Sequence, residues 1–102
     1  MIKHIIIWNL KDEYSSSEKL EIKKEIKREI EALKGKIEGL IDIKVHINPL
    51  ESSSGDLMLD SSFESVEALK YYASHPVHVK VANDFVRPHT ASRACLDFET
   101  DL

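Results

Sequence analysis

The sequence predicts an α+β fold with the element order β-α-β-β-α-β. Four short stretches have the apolar composition or the alternation of strands, and two longer stretches carry apolar residues at helical spacing. A proline, Pro76, breaks the second helical stretch. At 102 residues the chain is expected to form one domain, residues 1–102, around one modest core.

The first strand is predicted over Ile2 to Leu10, which is rich in isoleucine and is followed by the polar segment Lys11–Glu13. Both of its faces are largely apolar, so we expect both to be covered. Alternation assigns the residues to two faces, one with His4, Ile6 and Trp8 and the other with Lys3, Ile5 and Ile7.

A capping box, in which Ser15 is followed three residues later by Glu18, indicates the start of the first helix. Gly35 is the expected C-cap. Between them runs a narrow apolar stripe on an otherwise charged helix, formed by Ile22, Ile26, Ile30 and Leu33.

The two middle strands are predicted over Ile41 to Ile47 and over Leu57 to Phe63. The polar loop Glu51–Gly55 separates them, which indicates a hairpin. In the first of these strands the inward positions are predicted to be Ile41, Ile43, Val45 and Ile47, and in the second they are Leu57, Leu59 and Phe63.

The second helix is predicted in two pieces. Ser65 caps a helix from Val66 to about Ser74, and Pro76 then begins another, where its missing N–H is harmless. The apolar stripe of the second piece is predicted to be Val77, Val81 and Phe85, and the last strand alternates around Ala94, Leu96 and Phe98. This order is the ferredoxin-like arrangement with a broken second helix.

The composition narrows the function classes. Net charge is -4 and no basic stripe exists, so nucleic-acid binding is not expected. The single cysteine, Cys95, excludes an internal disulfide and a multi-cysteine zinc site, and it fits a reducing cytoplasm. The apolar run Ile5–Trp8 is too short to span a bilayer and lacks the layout of a signal peptide. We therefore expect a cytoplasmic protein without a membrane partner.

Four segments carry a resemblance to a known family, namely Ile2–Ile6, Ser62–Glu67, Tyr72–His78 and Leu96–Phe98. Together they resemble the stress-responsive A/B barrel (Dabb) family over nearly the whole chain, and the tyrosine-to-histidine run is the most specific part. The resemblance implies a homodimeric α/β barrel, in which two four-stranded sheets face each other and the helices lie outside. Pairing through the sheet would explain why the first strand is apolar on both faces.

The resemblance also implies site residues. A plant polyketide cyclase of this family closes a ring by an aldol-type reaction, and its functional tyrosine and histidine fall on Tyr72 and His78, with its strand histidine on His4. The histidine would act as a general base and the tyrosine would stabilise an oxyanion. Trp8, Ile6 and Ile26 would then contact a ligand, which we expect to be a small aromatic or β-keto compound. No cofactor is implied.

The residue types themselves allow two interpretations of this cluster. A neutral histidine can remove a proton from an acidic C–H while a phenol donates to the enolate oxygen, which gives enolisation without a cofactor. Alternatively, His78 is hydrogen-bonded to His4 and only holds the helix break on the sheet. In that case the chain is a non-catalytic stress-associated barrel or a small-molecule binder. A haem-degrading or quinone-forming monooxygenase is suggested by fold alone.

Other candidate ligands in the sequence do not form a convincing metal site. His75 and His78 have the spacing of a metal pair, but Pro76 lies between them and no third ligand is evident, with His89 and Asp97 only remote candidates. We therefore expect no metal. Cys95 is expected to be a packed or half-buried thiol.

Overall fold

The computed structural model describes residues 1–100 and has the ferredoxin-like α+β fold that the sequence predicts. Within those residues four strands form one antiparallel sheet in the order β2-β3-β1-β4. The strands are β1 (Ile2–Leu10), β2 (Leu40–His46), β3 (Leu57–Phe63) and β4 (Thr90–Glu99). The helices are α1 (Ser16–Glu31), α2 (Val66–Ser74) and α3 (Pro76–Val81).

Helix α1 begins at the capping box that the sequence indicates. The Ser15 hydroxyl accepts from the backbone N–H of Glu18 at 3.2 Å, and the Glu18 carboxylate accepts from the backbone N–H of Ser15 at 2.8 Å. The helix ends earlier than predicted, with Ala32 rather than Gly35 as its C-cap. Gly35 instead serves the turn that follows, where its φ of 84° is a conformation that glycine adopts without steric cost. The inward stripe is as predicted, with Ile26, Ile30 and Leu33 buried and Ile22 partly buried.

Strand β2 starts one residue earlier than predicted because the ladder to β3 is irregular between Leu40 and Asp42. This irregularity gives Leu40 the inward position that alternation assigns to Ile41, which is 43% exposed. After it, Ile43 and Val45 are buried as expected. A two-residue period therefore holds for most of the strand and fails only at the irregularity.

The second helix is broken where the sequence predicts. Ser65 caps α2 by accepting from the backbone N–H of Ala68 at 3.1 Å, and Pro76 is the first residue of α3. The chain then continues through a π-helical turn, Ala82–Val86, and a short 3₁₀ turn, Arg87–His89.

The predicted stripe of this last helical piece is only partly correct. Val81 packs against the core, but Val77 is 38% exposed, and the buried positions are Ala82 and Val86. The π turn spaces its hydrogen bonds five residues apart, so it moves the inward positions away from those of a regular helix. Helical periodicity in the sequence cannot indicate such a turn.

The two faces of the sheet have different surroundings. On the inner face, beneath the helices, β1 places five buried residues, namely Ile2, His4, Ile6, Trp8 and Leu10. The outer face is open and includes Ile7, Leu96 and Phe98, which are 42%, 63% and 40% exposed. Within residues 1–100, no helix combines the length and the apolar character needed to cross a bilayer.

Candidate functional site

A cavity of about 1010 Å³ lies on the inner face of the sheet, between β1, β4 and the broken helix α2–α3. It exists because β4 is an edge strand whose inner side chains are not covered by a helix. Its floor is apolar and includes Ile6 and Trp8 from β1. A small number of polar groups on an apolar wall is typical of small-molecule sites. The polar or ionisable residues at its wall that matter below are His4, Tyr72, His78, Cys95 and Asp97.

Tyr72 and His78 meet across the helix break. Tyr72 lies near the end of α2 and His78 near the start of α3, and their ring centroids are 4.1 Å apart with the planes tilted by 31°. A continuous helix would separate two residues six apart, so the break at Pro76 brings them together. The rings are stacked rather than joined by a hydrogen bond.

The protonation state of His78 follows from its surroundings. Its Nδ1 is 3.3 Å from the backbone carbonyl oxygen of Ala73, and because a carbonyl only accepts, Nδ1 carries the proton. Burial lowers the pKa of His78 below its ordinary value, and that effect outweighs the hydrogen bond to Ala73. The ring is therefore neutral near pH 7, with Nε2 available as a proton acceptor.

The Tyr72 hydroxyl is buried and unsatisfied. Among residues 1–100 no group forms a hydrogen bond with it, and the side chain is 1% exposed. Burial raises the pKa of Tyr72 well above its ordinary value, so the phenol stays protonated and remains a donor. Because the hydroxyl has no contact with solvent, a ligand atom can reach it only if a neighbouring side chain moves.

His4 pairs with Asp97 and not with His78. The two residues are opposite each other in the β1–β4 ladder, and His4 Nδ1 donates to the Asp97 carboxylate in a close contact. The His4 ring lies edge-on to Tyr72, with centroids 6.3 Å apart. The alternative interpretation, in which His78 is hydrogen-bonded to His4, is wrong for residues 1–100: Nδ1 of His4 bonds to Asp97, Nδ1 of His78 bonds to the Ala73 carbonyl, and no hydrogen bond joins the two rings.

Cys95 lies beside this pair. It is exposed, so the expectation of a packed or half-buried thiol is wrong; within residues 1–100 no helix covers the inner side of β4. Its sulfur is 3.9 Å from His4 Nδ1 and 3.5 Å from Asp97 Oδ1. Partial burial and then the charge of Asp97 raise the pKa of Cys95, so the free thiol is protonated at neutral pH.

The predicted ligand contacts divide into two groups. Ile6 and Trp8 line the cavity. Ile26 does not: it is completely buried in the core, and Ile30, one turn further along α1, lines the cavity in its place. The sequence shows both residues on one stripe, but it does not show how far along the helix the cavity reaches.

Two further histidines, His75 and His89, have structural partners. His75 Nδ1 accepts from the backbone N–H of Val77 at 3.1 Å, which caps α3. His89 Nδ1 is 2.8 Å from the Tyr14 hydroxyl. Among residues 1–100, neither His75 nor His78 belongs to a group of three or more His, Cys, Asp or Glu side chains close enough to hold one metal ion.

Sequence reasoning missed the role of Asp97 and Cys95 beside His4. Alternation in β4 does place these two residues on one face, and the ferredoxin-like order makes β4 the neighbour of β1. The register that puts Asp97 opposite His4 was the missing information.

Comparisons with known proteins are consistent with this fold. The family model described as the stress responsive A/B barrel domain matches residues 2–100. No curated protein matches the chain. A dimeric protein of unknown function with a ferredoxin-like fold from Bacteroides fragilis is 34% identical, with a TM-score of 0.89, over 97% of this chain and 95% of its own.

Two further solved structures are similar in fold alone. A dimeric ferredoxin-like protein of unknown function from Thermobifida fusca is 18% identical with a TM-score of 0.79, over 97% of this chain and 90% of its own. The hydroxynitrile lyase of Passiflora edulis is 15% identical with a TM-score of 0.76, over 99% of this chain and 94% of its own.

Proposed function

The chain belongs to the stress-responsive A/B barrel family, and from that premise we propose that it is a homodimeric barrel protein that binds a small carbonyl compound and enolises it without a cofactor. In this proposal His78 is the base and Tyr72 donates a hydrogen bond to the enolate oxygen. The observation that carries it is a neutral imidazole stacked 4.1 Å from a phenol whose hydroxyl is buried and unpaired, at the wall of a cavity of about 1010 Å³.

The chemistry follows from the two protonation states. Nε2 of His78 takes the proton from the carbon next to the carbonyl, and the electron pair moves onto the carbonyl oxygen. The Tyr72 hydroxyl donates to that oxygen as its charge grows, where a donor in a water-poor site is most effective. The enolate carbon can then attack a second carbonyl of the same molecule, which closes a ring. Asp97 orients the His4 ring through Nδ1, so that His4 can assist His78 at the same cavity wall.

The unpaired hydroxyl supports a role in ligand binding. A buried donor without a partner destabilises the fold by about 1–3 kcal/mol, and a ligand oxygen that accepts from it would remove this cost. The half-buried His78 ring stacks on Tyr72, so we propose that it shifts when the ligand enters.

The ligand class follows from the cavity lining. The apolar floor suits an aromatic or alkyl group. Arg87 and Arg93 at the wall suit a carboxylate, because guanidinium groups bind carboxylates in a bidentate manner. We therefore favour small aromatic or β-keto acids.

The dimer is part of the proposal because it accounts for the outer face of the sheet. Ile7, Leu96 and Phe98 are exposed on that face, and the barrel of the family covers such a face with a second subunit. The dimeric Bacteroides fragilis protein, at 34% identity, supports the same assembly.

The test measures exchange of a carbon-bound proton. We use 4-acetylbenzoate in deuterated buffer, because the methyl protons of this aromatic keto acid exchange slowly on their own, and follow them by NMR. Wild-type protein is expected to accelerate the exchange, His78→Ala to abolish the acceleration, and His75→Ala to retain it. Equal exchange with and without protein would overturn the catalytic proposal.

A second candidate is a non-catalytic small-molecule binder. The observation that favours it is the sealed position of the Tyr72 hydroxyl, which a bound ligand does not reach unless side chains move. A rise in melting temperature with the same keto acid, without any exchange, would select this function.

A further inference from the structure

We propose that His4, Cys95 and Asp97 form a binding site for one Zn²⁺ ion at the cavity wall, with a fourth coordination position open to the cavity. The site goes beyond the proposed function: it shares His4 and Asp97 with that function, but the proposed base His78 and the phenol Tyr72 do not belong to it. Its members supply one imidazole nitrogen, one sulfur and one carboxylate oxygen, and these atoms all lie within 4.8 Å of one another.

Strand pairing brings the three residues together. His4 is opposite Asp97 in the antiparallel β1–β4 ladder, and Cys95 is two residues before Asp97, so all three side chains point to the inner face. Sites on paired strands are held more firmly than sites on loops. The arrangement therefore needs no reorganisation of the backbone to bind an ion.

The distances are close to those of a tetrahedral site. For typical zinc bond lengths, the sulfur-to-nitrogen and sulfur-to-oxygen edges of the tetrahedron are about 3.5 Å. The corresponding distances here are 3.9 Å from Cys95 Sγ to His4 Nδ1 and 3.5 Å from Cys95 Sγ to Asp97 Oδ1. Only the contact between His4 and Asp97 is too short and has to widen. Asp97 can do so by turning its carboxylate, because its side chain is 46% exposed.

The donor set selects the kind of ion. Three protein ligands of the nitrogen, sulfur and oxygen types, with one position open, are typical of zinc sites that also bind a ligand. Magnesium and calcium prefer oxygen ligands, and this site offers one carboxylate. On binding, the Cys95 thiol releases its proton to solvent, and the ring proton of His4 moves from Nδ1 to Nε2.

The test uses Co²⁺ as a spectroscopic substitute for Zn²⁺ in the full-length protein. A thiolate bound to cobalt gives a near-ultraviolet charge-transfer band, and tetrahedral cobalt gives intense visible bands. We expect wild-type protein to show both at one ion per chain, with loss on addition of excess Zn²⁺. Cys95→Ser is expected to lose the charge-transfer band, while His75→Gln, which changes a histidine outside the site, retains it.

The outcomes separate this inference from the proposed function. His78→Ala should lose proton exchange on 4-acetylbenzoate and keep the cobalt spectrum, because His78 is not a ligand of the ion. No charge-transfer band in wild-type protein, or an unchanged band in Cys95→Ser, would overturn the metal site and leave the exchange result untouched. Circular dichroism of each variant checks that it is folded, and His4→Gln provides a second ligand variant if Cys95→Ser does not fold.

Discussion

Replacing Tyr72 with phenylalanine removes one buried oxygen atom from a side chain beside the cavity and leaves the ring. The ring contacts should remain, with Phe63 at a centroid distance of 5.0 Å and His78 at 4.1 Å. The oxygen itself is buried and has no hydrogen-bond partner among residues 1–100. The variant therefore isolates the energetic effect of one buried, unpaired hydroxyl.

We expect Tyr72→Phe to be more stable than the wild type. Protein mutational data give about 1–3 kcal/mol for burying such a group without a partner. The small void left by the oxygen offsets part of this gain, so the expected increase in the free energy of unfolding is about 1–2 kcal/mol. In a domain of this size each kcal/mol raises the melting temperature by about 4–8 °C.

Urea denaturation followed by the fluorescence of Trp8 measures the change, because Trp8 is the single tryptophan and is 5% exposed. All samples must have the same protein concentration, since the stability of a dimer depends on it. The matched control is Tyr71→Phe at the neighbouring residue, whose side chain is 52% exposed and should change stability by no more than about 0.5 kcal/mol.

The outcome that refutes this reasoning is a loss of stability in Tyr72→Phe of about 1 kcal/mol or more, which is the usual cost of deleting a satisfied hydrogen bond. A more stable variant that no longer accelerates exchange on 4-acetylbenzoate would show that the hydroxyl is retained for the ligand at the expense of the fold.

Two further predictions concern the sheet face and pH. Leu96→Lys puts a charge on the open apolar face, so sedimentation velocity should show monomers instead of the dimer. The control Leu50→Lys, in an exposed loop, should remain a dimer. A dimeric Leu96→Lys protein would argue against pairing through this face. Folding lowers the pKa of His78 from its ordinary value of 6.5. As the pH is lowered through 6.5, His78 therefore takes up a proton in the unfolded chain before it does so in the folded protein. The free energy of unfolding should decrease as the pH is lowered in that range. His78→Gln should remove this part of the pH dependence, and His46→Gln, at an exposed site, should keep it. The free energy of unfolding is measured by urea denaturation at a series of pH values. The same change of this free energy with pH in wild type and His78→Gln would contradict the lowered pKa of His78.

The parts of the fold that depend on local sequence were predicted well. The capping box at Ser15 and the helix break at Pro76 each involve residues that are close along the chain, so the sequence contains the needed information. The start of β2 was missed by one residue, because the irregularity at Leu40 results from pairing with a distant strand. The inward positions of the last helical piece were missed because a π turn has no local signature.

The difference between local and long-range contacts also explains which parts of the candidate site could be predicted. Tyr72 and His78 lie on either side of Pro76 in sequence, so their proximity could be inferred from the chain itself. The partnership of His4 with Asp97 joins residues at opposite ends of the sequence, and only the ladder between β1 and β4 reveals it. Family resemblance indicated His4 as a candidate site residue but did not indicate its neighbours Cys95 and Asp97.

The edge position of β4 has a second consequence. In the sheet formed by residues 1–100 this ten-residue strand has no neighbour on one side, so it presents backbone groups to which another chain can add, as in the growth of fibrils. Charged side chains that point inward on such a strand oppose this addition, and Arg93, Asp97 and Glu99 occupy that position here. The charged residues of the cavity wall therefore also oppose aggregation, and a redesign that made the wall more apolar for a new ligand would carry the risk of aggregation.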